Sequence, residues 1–269
     1  MEKKIISEIK EKGIVKIENF LDIKELENLK KIVSFYSAPK NDPKSYFPVN
    51  LITLIFKILK LDFSRFFYSL ELWKLKDKKK LDFFARSFFE SQVKLKFIDA
   101  YYSKKSDSAI LPWHTDQAYH GEKNVINFNN PKNFFLKVFI YLTDVSANNG
   151  CMSYVPGSHK LGYAIRKAIY EKKIPYQPYW SLKDFKKILK DNLSFFESFI
   201  DEPQLIRNFF NDTNELENDV NNSNKNSFCY SAKAGSAIIF DEGGVHQGSK
   251  PQYNDRMVLR YLYGPDTQI

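Results

Sequence analysis

From residue 93 onward, short segments rich in β-branched and aromatic residues dominate the chain, and this pattern restricts the possible folds more than any other feature. Six such segments occur: VKLKFIDAYYS, FFLKVFIYLTDV, CMSYVP, FCYSA, SAIIF and RMVLRYLY. They are bounded by ANNG, PGSH, AKAGS and EGG, which are sequences typical of turns. The sequence therefore predicts a β core over residues 93–159 and 228–269.

The first 92 residues have mainly helical spacing. EKKIISEIKEKG ends at Gly13, IVKIENF alternates like a strand, and DIKELENLKKIVSFYS begins with Asp22 and Glu25 at the separation of a capping box. The sequence pattern of residues 47–90 predicts two or three further helices. We therefore expect a helical flank over residues 1–92 and an α+β protein whose core is mainly β.

Residues 160–227 interrupt the predicted β core with a long insertion. Its first half is helix-like and aromatic, while its second half, NDTNELENDVNNSNKN, is acidic and rich in Asn. Insertions of this length are usually lids or binding loops, or else disordered tracts. We expect a single domain over residues 1–269, in which residues 160–227 form a partly mobile lid.

The formal net charge is +9, and one basic cluster contributes to it. Between residues 160 and 190, nine Lys or Arg stand against only Glu171 and Asp184. Clustered cations can bind nucleic acid by displacing counterions. However, Lys greatly outnumbers Arg, and a solvated basic surface explains the excess without a specific partner. We therefore expect no nucleic-acid partner.

The sequence also lacks the signals of a membrane or secreted protein. The longest apolar run, LITLIFKILKL, contains Lys57 and Lys60 and is too short to cross a bilayer. The N-terminus has no apolar signal core. Cys151 and Cys229 are far apart in a chain large enough to fold without a disulfide, which favours free thiols in a reducing compartment. We expect a cytoplasmic monomer or homodimer with no membrane partner.

The stretch LPWHTDQAYH, residues 111–120, contains the strongest candidates for a functional site. His114 and Asp116 are two residues apart, so on an extended segment both side chains point to one face and can chelate a metal ion. His246 follows a strand and a glycine turn, and Arg256 comes ten residues later. Two His and one carboxylate, with three positions left open, form the facial triad of non-haem Fe(II) oxygenases. An Arg beyond such a triad can bind the far carboxylate of an oxo-acid through paired hydrogen bonds.

These motifs resemble the phytanoyl-CoA dioxygenase family of Fe(II)- and 2-oxoglutarate-dependent oxygenases. The matching pieces are WHTDQAYH, YLTDVSANNGCMSYVPGSHK and VHQGSKPQYNDRMVLRYLY, and the opening KGIVKIENFLDIKELENLKKIV is similar to the family's N-terminal strand and helix. The similarity covers the chain except residues 47–90 and 160–227. It implies a double-stranded β-helix, a cupin-like jelly-roll barrel with the metal at its mouth.

The resemblance also implies the chemistry and the residues that perform it. His114, Asp116 and His246 would bind iron, and Arg256 would hold the C5 carboxylate of 2-oxoglutarate. The implied reaction consumes 2-oxoglutarate and O2, releases succinate and CO2, and hydroxylates a small or medium-sized metabolite.

Further residues are candidates for binding the co-substrate or the substrate. Many relatives carry a small hydroxyl residue two positions after the second His, where this chain has Gly248, and Ser249 is the nearest substitute. Lys137 and Tyr141 lie on one face of a strand and would touch 2-oxoglutarate or an anionic substrate if that face lines the barrel. Arg260, four residues after Arg256, is the alternative carboxylate ligand.

The other histidines and aromatic residues near the motifs have more ordinary interpretations. His120 is a weaker metal ligand than His114 and is expected to line the pocket or lie on the surface. His159 is expected to fix a turn at the barrel rim. Trp113 and Tyr119 either pack in the core or line the pocket.

Two other enzyme or binding classes compete with a hydroxylase. An iron halogenase would need an open coordination position where this chain has Asp116, which disfavours halogenation. A catalytically silent barrel would be expected to have lost part of the triad or the Arg, and both are present. The substrate itself is not identified, although the basic, aromatic start of the insertion favours an anionic small molecule.

Overall fold

The computed structural model of the protein describes residues 2–37, 44–49, 63–116, 135–177, 179–200, 202, 204–216 and 228–266. These residues form two antiparallel sheets that face each other, with helices on the outer face of each sheet. No helix within the described ranges is long and apolar enough to cross a membrane.

The N-terminal flank supplies helices to one side of the barrel and strands to its larger sheet. Its described elements are α1 (Glu2–Lys12), β1 (Ile14–Ile17), α2 (Ile23–Ser37), β2 (Lys44–Val49), α3 (Phe63–Lys78) and α4 (Leu81–Phe89). The capping box at the start of α2 is confirmed, because the N–H of Asp22 donates to Glu25 Oε2 at 2.9 Å and the N–H of Glu25 donates to Asp22 Oδ1 at 2.8 Å. The expectation of helix from residue 47 is wrong, since Lys44–Val49 pairs with a core strand as a sheet edge.

The β core contains nine strands among the described residues. They are β3 (Val93–Ser103), β4 (Leu111–Asp116), β5 (Leu136–Tyr141), β6 (Met152–Tyr154), β7 (Tyr179–Ser181), β8 (Cys229–Tyr230), β9 (Ala237–Asp241), β10 (His246–Gly248) and β11 (Arg256–Pro265). The larger sheet has the order β1-β9-β5-β11-β3-β2, and the smaller sheet has the order β7-β4-β10-β6-β8. The predicted mainly β jelly-roll core is confirmed.

Alternation along the strands divides the apolar residues between the barrel interior and its outer faces. Phe139, Tyr141, Phe240 and Val258 of the larger sheet meet Tyr154 of the smaller sheet inside the barrel. On the opposite face of the larger sheet, other buried residues of β5, β9 and β11 pack against α1, α2, α3 and α4. The helical flank therefore supports the barrel from outside and leaves the interior free for polar groups.

The insertion forms a helical layer over the smaller sheet. Besides β7, its described elements are α5 (Ser158–Tyr170), α6 (Leu182–Asp191), α7 (Leu193–Phe199), α8 (Gln204–Thr213) and a 3-10 helix (Asn214–Leu216). Leu161, Phe185 and Phe209 of this layer are buried with Trp113 and Val245 of the sheet. Strand β7 extends the sheet beside β4. Residues 217–227 lie outside the described residues, and the lid role of the insertion stays a prediction.

The expectation of two free thiols is wrong. Cys151 and Cys229 form a disulfide, with their Cα atoms 6.3 Å apart. The pairing of Ser153 with Cys229 between β6 and β8 brings the two cysteines together although 78 positions separate them in sequence. The long separation of the two cysteines in sequence gave no indication that they lie close together. The disulfide connects the end of the insertion to the smaller sheet.

Candidate active site

Three potential metal ligands meet inside the barrel. His114 and Asp116 lie two residues apart on β4, and His246, the first residue of β10, is the direct cross-strand partner of His114. Their ligand atoms lie within 4.8 Å of one another. Nε2 of His114 is 3.8 Å from Oδ1 of Asp116, and Nε2 of His246 is 3.8 Å from Oδ2. The structure thus brings together all three residues of the predicted triad.

Backbone carbonyl groups orient both imidazoles. Nδ1 of His114 is 2.7 Å from the carbonyl oxygen of Pro112, and Nδ1 of His246 is 2.8 Å from that of Gly244. A carbonyl oxygen only accepts, so each Nδ1 carries the proton and donates it, which leaves Nε2 as the lone-pair nitrogen. Burial lowers the pKa of His114 and lowers that of His246 to about 3. Both rings are therefore neutral at pH 7, which is the form that binds a metal.

The carboxylate of Asp116 is ion-paired with a buried lysine. Nζ of Lys137 is 2.8 Å from Oδ2 of Asp116 and 2.9 Å from Oε2 of Glu242. Burial opposes ionisation of Asp116, but Lys137 and the two histidines outweigh it and lower the pKa of Asp116. Burial raises the pKa of Glu242 to about 7, although Lys137 opposes this shift. Lys137 therefore lies beside the triad, and its predicted contact with 2-oxoglutarate stays a prediction.

Arg256 is buried in the same barrel with part of its hydrogen-bonding capacity unused. Its guanidinium lies 5.9 Å from the ring centroid of Phe139 and 5.6 Å from that of Tyr141. Burial raises the pKa of Tyr141, and hydrogen bonding to Arg256 opposes the shift. Within the part of the chain that the structure describes, Nε of Arg256 is buried without a hydrogen-bond partner. A buried donor of this kind is costly unless a ligand completes it.

Gly150 provides the space in which Arg256 lies. Its φ is +74°, and a Cβ at this position would lie 2.6 Å from Cδ of Arg256. Only glycine combines that backbone conformation with so close an approach. The turn ANNG therefore shapes the Arg256 site as well as joining two strands.

An aromatic wall connects Arg256 to the triad. The ring of Phe139 lies 5.1 Å from that of Phe240, which lies 5.5 Å from the ring of His246. These apolar rings exclude water along one side of the barrel between Arg256 and the histidines.

Arg260, the alternative carboxylate ligand, is already paired within the protein. Its Nε donates to Oδ1 of Asp99 at 2.7 Å, and its Nη2 pairs with Oδ2 of the same carboxylate. Asp99 and Arg260 face each other across β3 and β11. This two-pronged contact occupies the guanidinium that would otherwise bind an oxo-acid.

The sequence profile of the phytanoyl-CoA dioxygenase (PhyH) family matches residues 9–252 of this chain. The chain belongs to the phytanoyl-CoA dioxygenase family. This membership confirms the resemblance carried by the His-x-Asp stretch, the NG and PGSH turns and the second His. No curated protein sequence matches the chain.

Solved structures share the fold at low sequence identity. The epimerase SnoN, in complex with Fe3+, α-ketoglutarate and nogalamycin RO, has a TM-score of 0.54 and 14% identity, covering 99% of this chain and 84% of that one. EvdO2 from Micromonospora carbonacea var. aurantiaca, complexed with 2-oxoglutarate, has a TM-score of 0.54 and 11% identity, with coverages of 97% and 90%. Iron-bound HygX from Streptomyces hygroscopicus has a TM-score of 0.53 and 16% identity, with coverages of 98% and 87%. These similarities support the jelly-roll fold.

The space around Gly248 is narrow. A Cβ on Gly248 would lie 3.2 Å from Cβ of Ile110, so a larger residue would require a small shift of Ile110. Ser249 does not simply replace the missing hydroxyl. Its Oγ is 3.6 Å from Sγ of Cys151, and its N–H donates to the carbonyl oxygen of Cys151 at 3.0 Å. A contact between Ser249 and 2-oxoglutarate stays a prediction.

The remaining candidates of the sequence analysis fall into packing positions or outside the described residues. His159 is buried at the start of α5, with Nε2 3.1 Å from the carbonyl oxygen of Lys10, so it joins α5 to α1. Trp113 points away from the triad and packs edge-to-face on Phe228. Tyr119 and His120 lie outside the described residues.

Sequence reasoning missed Glu242, Asp99 and the role of Gly150. Glu242 is the first residue of the EGG turn that follows the apolar segment SAIIF, and Asp99 lies within the apolar and aromatic stretch FIDAYY, so each was a carboxylate in or beside an apolar stretch. Such residues are buried only with partners. That signal could have identified both carboxylates, but their partners, Lys137 and Arg260, depend on the sheet register.

Proposed function

We propose that this protein is an Fe(II)- and 2-oxoglutarate-dependent dioxygenase that hydroxylates a small or medium-sized metabolite. One observation carries the proposal: the barrel that holds His114, Asp116 and His246 also holds Arg256, whose buried Nε has no hydrogen-bond partner among the described residues. Metal ligands and a buried guanidinium in the same barrel match the needs of an oxo-acid that binds a metal at one end and an Arg at the other.

The donor set fits Fe(II) on chemical grounds. Two neutral imidazoles and one carboxylate suit a divalent first-row metal and leave positions open for other ligands. When bound, iron supplies the activation of O2 that organic side chains cannot provide. Arg256 would hold the C5 carboxylate of 2-oxoglutarate, and the wall of Phe139 and Phe240 would keep water from the reacting end.

The reaction that we propose is the conversion of R–H, 2-oxoglutarate and O2 to R–OH, succinate and CO2. One oxygen atom of O2 enters succinate and the other enters the product. The presence of Asp116 favours hydroxylation over halogenation, because the carboxylate takes the coordination position that a halide would need.

We propose that the substrate is a small molecule. SnoN and HygX are described with nogalamycin RO and hygromycin B, respectively, which supports this size class. An anionic group in the substrate is suggested by the basic residues at 160–190, although Arg166 and Lys186 of that cluster are buried.

The test is a screen of metabolite pools with Fe(II), 2-oxoglutarate and O2. We expect one pool to raise succinate release above its substrate-free level and to yield a product heavier by one oxygen atom. Succinate release without any product that gains oxygen would contradict hydroxylation. A product that differs from the substrate in configuration or by a new ring would indicate a different reaction within the family.

A further inference from the structure

Asp116, Lys137 and Glu242 form a closed ring of contacts at the metal site. Nζ of Lys137 contacts Oδ2 of Asp116 at 2.8 Å and Oε2 of Glu242 at 2.9 Å. The carbonyl oxygen of Glu242 in turn accepts the N–H of Asp116 at 3.2 Å. The ring thus joins the end of β4, the start of β5 and the turn that leads to β10.

The ring includes a charged side chain on a strand that is buried along its whole length. Every residue of β5 is buried, and Lys137 lies between Phe240 of β9 and Leu262 of β11 in the sheet register. Replacing a buried ion pair by apolar residues is often neutral or stabilising, so stability alone does not explain a lysine here. A purely structural ion pair would also have no reason to engage a metal-binding carboxylate.

The contact with Lys137 makes the two carboxylate oxygens of Asp116 inequivalent. Each oxygen lies 3.8 Å from Nε2 of one histidine, Oδ1 from that of His114 and Oδ2 from that of His246, but only Oδ2 accepts the ammonium. Among the described residues, Lys137 therefore occupies one oxygen and leaves Oδ1 without a cationic partner. Glu242 offsets the positive charge of Lys137, which would otherwise repel a divalent cation at short range.

We propose that Lys137 and Glu242 are a positioning pair that restricts Asp116 to binding the metal through one oxygen. This inference rests on the proposed function, because it assumes that the triad binds a metal. Its consequence is that coordination positions stay open for both the oxo-acid and O2. The contacts support this role for Lys137 more directly than a contact with 2-oxoglutarate. Partners of metal ligands typically contribute roughly 10–100-fold to metal affinity.

The test is calorimetric titration of metal-free protein with Ni(II) alone. The main variant is Lys137→Met/Glu242→Gln, and the titration is run at pH 8, where Glu242 is mostly ionised, so that the variant removes one charge of each sign and leaves the net charge near the metal nearly unchanged. We expect Ni(II) to bind roughly 10–100-fold more weakly than in the wild type, because Asp116 loses its orientation. The matched control is Lys233→Met/Asp144→Asn, which removes an exposed pair of the same length, 2.8 Å, and should leave Ni(II) affinity unchanged.

A Co(II) absorption spectrum distinguishes positioning from a structural role. We expect the visible spectrum of the Co(II)-loaded Lys137→Met/Glu242→Gln protein to differ from that of the wild type, because a freed Asp116 binds through both oxygens. If the double variant unfolds, Glu242→Gln alone still tests the idea. It keeps an acceptor for Lys137 but leaves the ammonium charge balanced by Asp116 alone, so Ni(II) affinity should fall at least about 10-fold.

Two results would overturn the inference separately from the proposed function. If the double variant has wild-type Ni(II) affinity and an unchanged Co(II) spectrum, Lys137 and Glu242 do not position Asp116, although the metal site itself is retained. A wild-type protein that binds no Ni(II) would overturn the metal site, and the proposed function with it.

Discussion

His246 and His114 are direct partners across β10 and β4, and their ring centroids lie 4.3 Å apart. His246, the first residue of the three-residue strand β10, therefore lies beside His114 and Asp116, which are two residues apart on β4. Because each Nδ1 donates to a carbonyl oxygen, each Nε2 is the nitrogen that carries the lone pair for a metal ion.

Replacement of His246 by Ala should abolish metal binding while preserving the fold. The ligand is lost, but the strand pairing of β10 depends on its backbone. Calorimetry with Ni(II) and circular dichroism measure the two effects. His159→Ala is the control histidine, since it should reduce thermal stability by loosening α5 from α1 and leave Ni(II) affinity intact. If His246→Ala binds Ni(II) with wild-type affinity, His246 is not a metal ligand.

Replacement of Arg256 by Lys should weaken 2-oxoglutarate binding by roughly 30-fold or more, because an ammonium cannot reproduce the paired hydrogen bonds of a guanidinium. The dissociation constant of 2-oxoglutarate from the Ni(II)-loaded protein reports this, and Ni(II) affinity should hardly change. Arg260→Lys breaks the contact with Asp99, so it should lower stability and leave 2-oxoglutarate affinity alone. If Arg260→Lys weakens 2-oxoglutarate binding and Arg256→Lys does not, Arg260 is the residue that binds the carboxylate.

Replacement of Gly150 by Ala should impair both stability and co-substrate binding. A residue with φ near +74° is strained when it carries a Cβ, by roughly 1–2 kcal/mol, and this Cβ would also push on Cδ of Arg256. Gly235→Ala is the matched control, because its φ is +88° but the nearest atom to its Cβ is 3.5 Å away. Both variants should lower the urea midpoint, but only Gly150→Ala should weaken 2-oxoglutarate binding.

Asp241 should make the free energy of unfolding fall as pH rises. Burial raises its pKa to about 7, against the opposing hydrogen bonds from Tyr163 and Gly243. The folded protein therefore keeps a proton that the unfolded chain loses near pH 4, so stability declines between about pH 4 and pH 7.

Asp241→Asn should remove this part of the decline, which is on the order of a few kcal/mol. Urea unfolding of metal-free wild type and variant at several pH values isolates the effect, since the buried histidines contribute equally to both. A constant difference in unfolding free energy from pH 5 to pH 8 would contradict the raised pKa.

The sequence predicted those features that depend on local order. The capping box of Asp22 and Glu25, the alternation that puts His114 and Asp116 on one face, and the turns between strands are all properties of short segments. The disulfide of Cys151 with Cys229 and the edge strand Lys44–Val49 depend on which strands become neighbours, and no local period encodes that.

The site shows the same division. The family motif predicted the triad, which the structure brings together, and Arg256, whose role stays a prediction, but it carried no information about the partners of Lys137 or about the pairing of Arg260 with Asp99. The pairing of Arg260 with Asp99 follows from the register of β11 against β3. The contacts of Lys137 depend on where β5 meets the end of β4 and the turn after β9.

Isotopically labelled O2 tests the central claim most directly. The wild-type protein, supplied with Fe(II), 2-oxoglutarate and labelled O2, should form succinate that contains one labelled oxygen atom, and His246→Ala should form none. Succinate without the label, or equal labelled succinate from His246→Ala, would contradict the assignment of His114, Asp116 and His246 as the oxygenase centre.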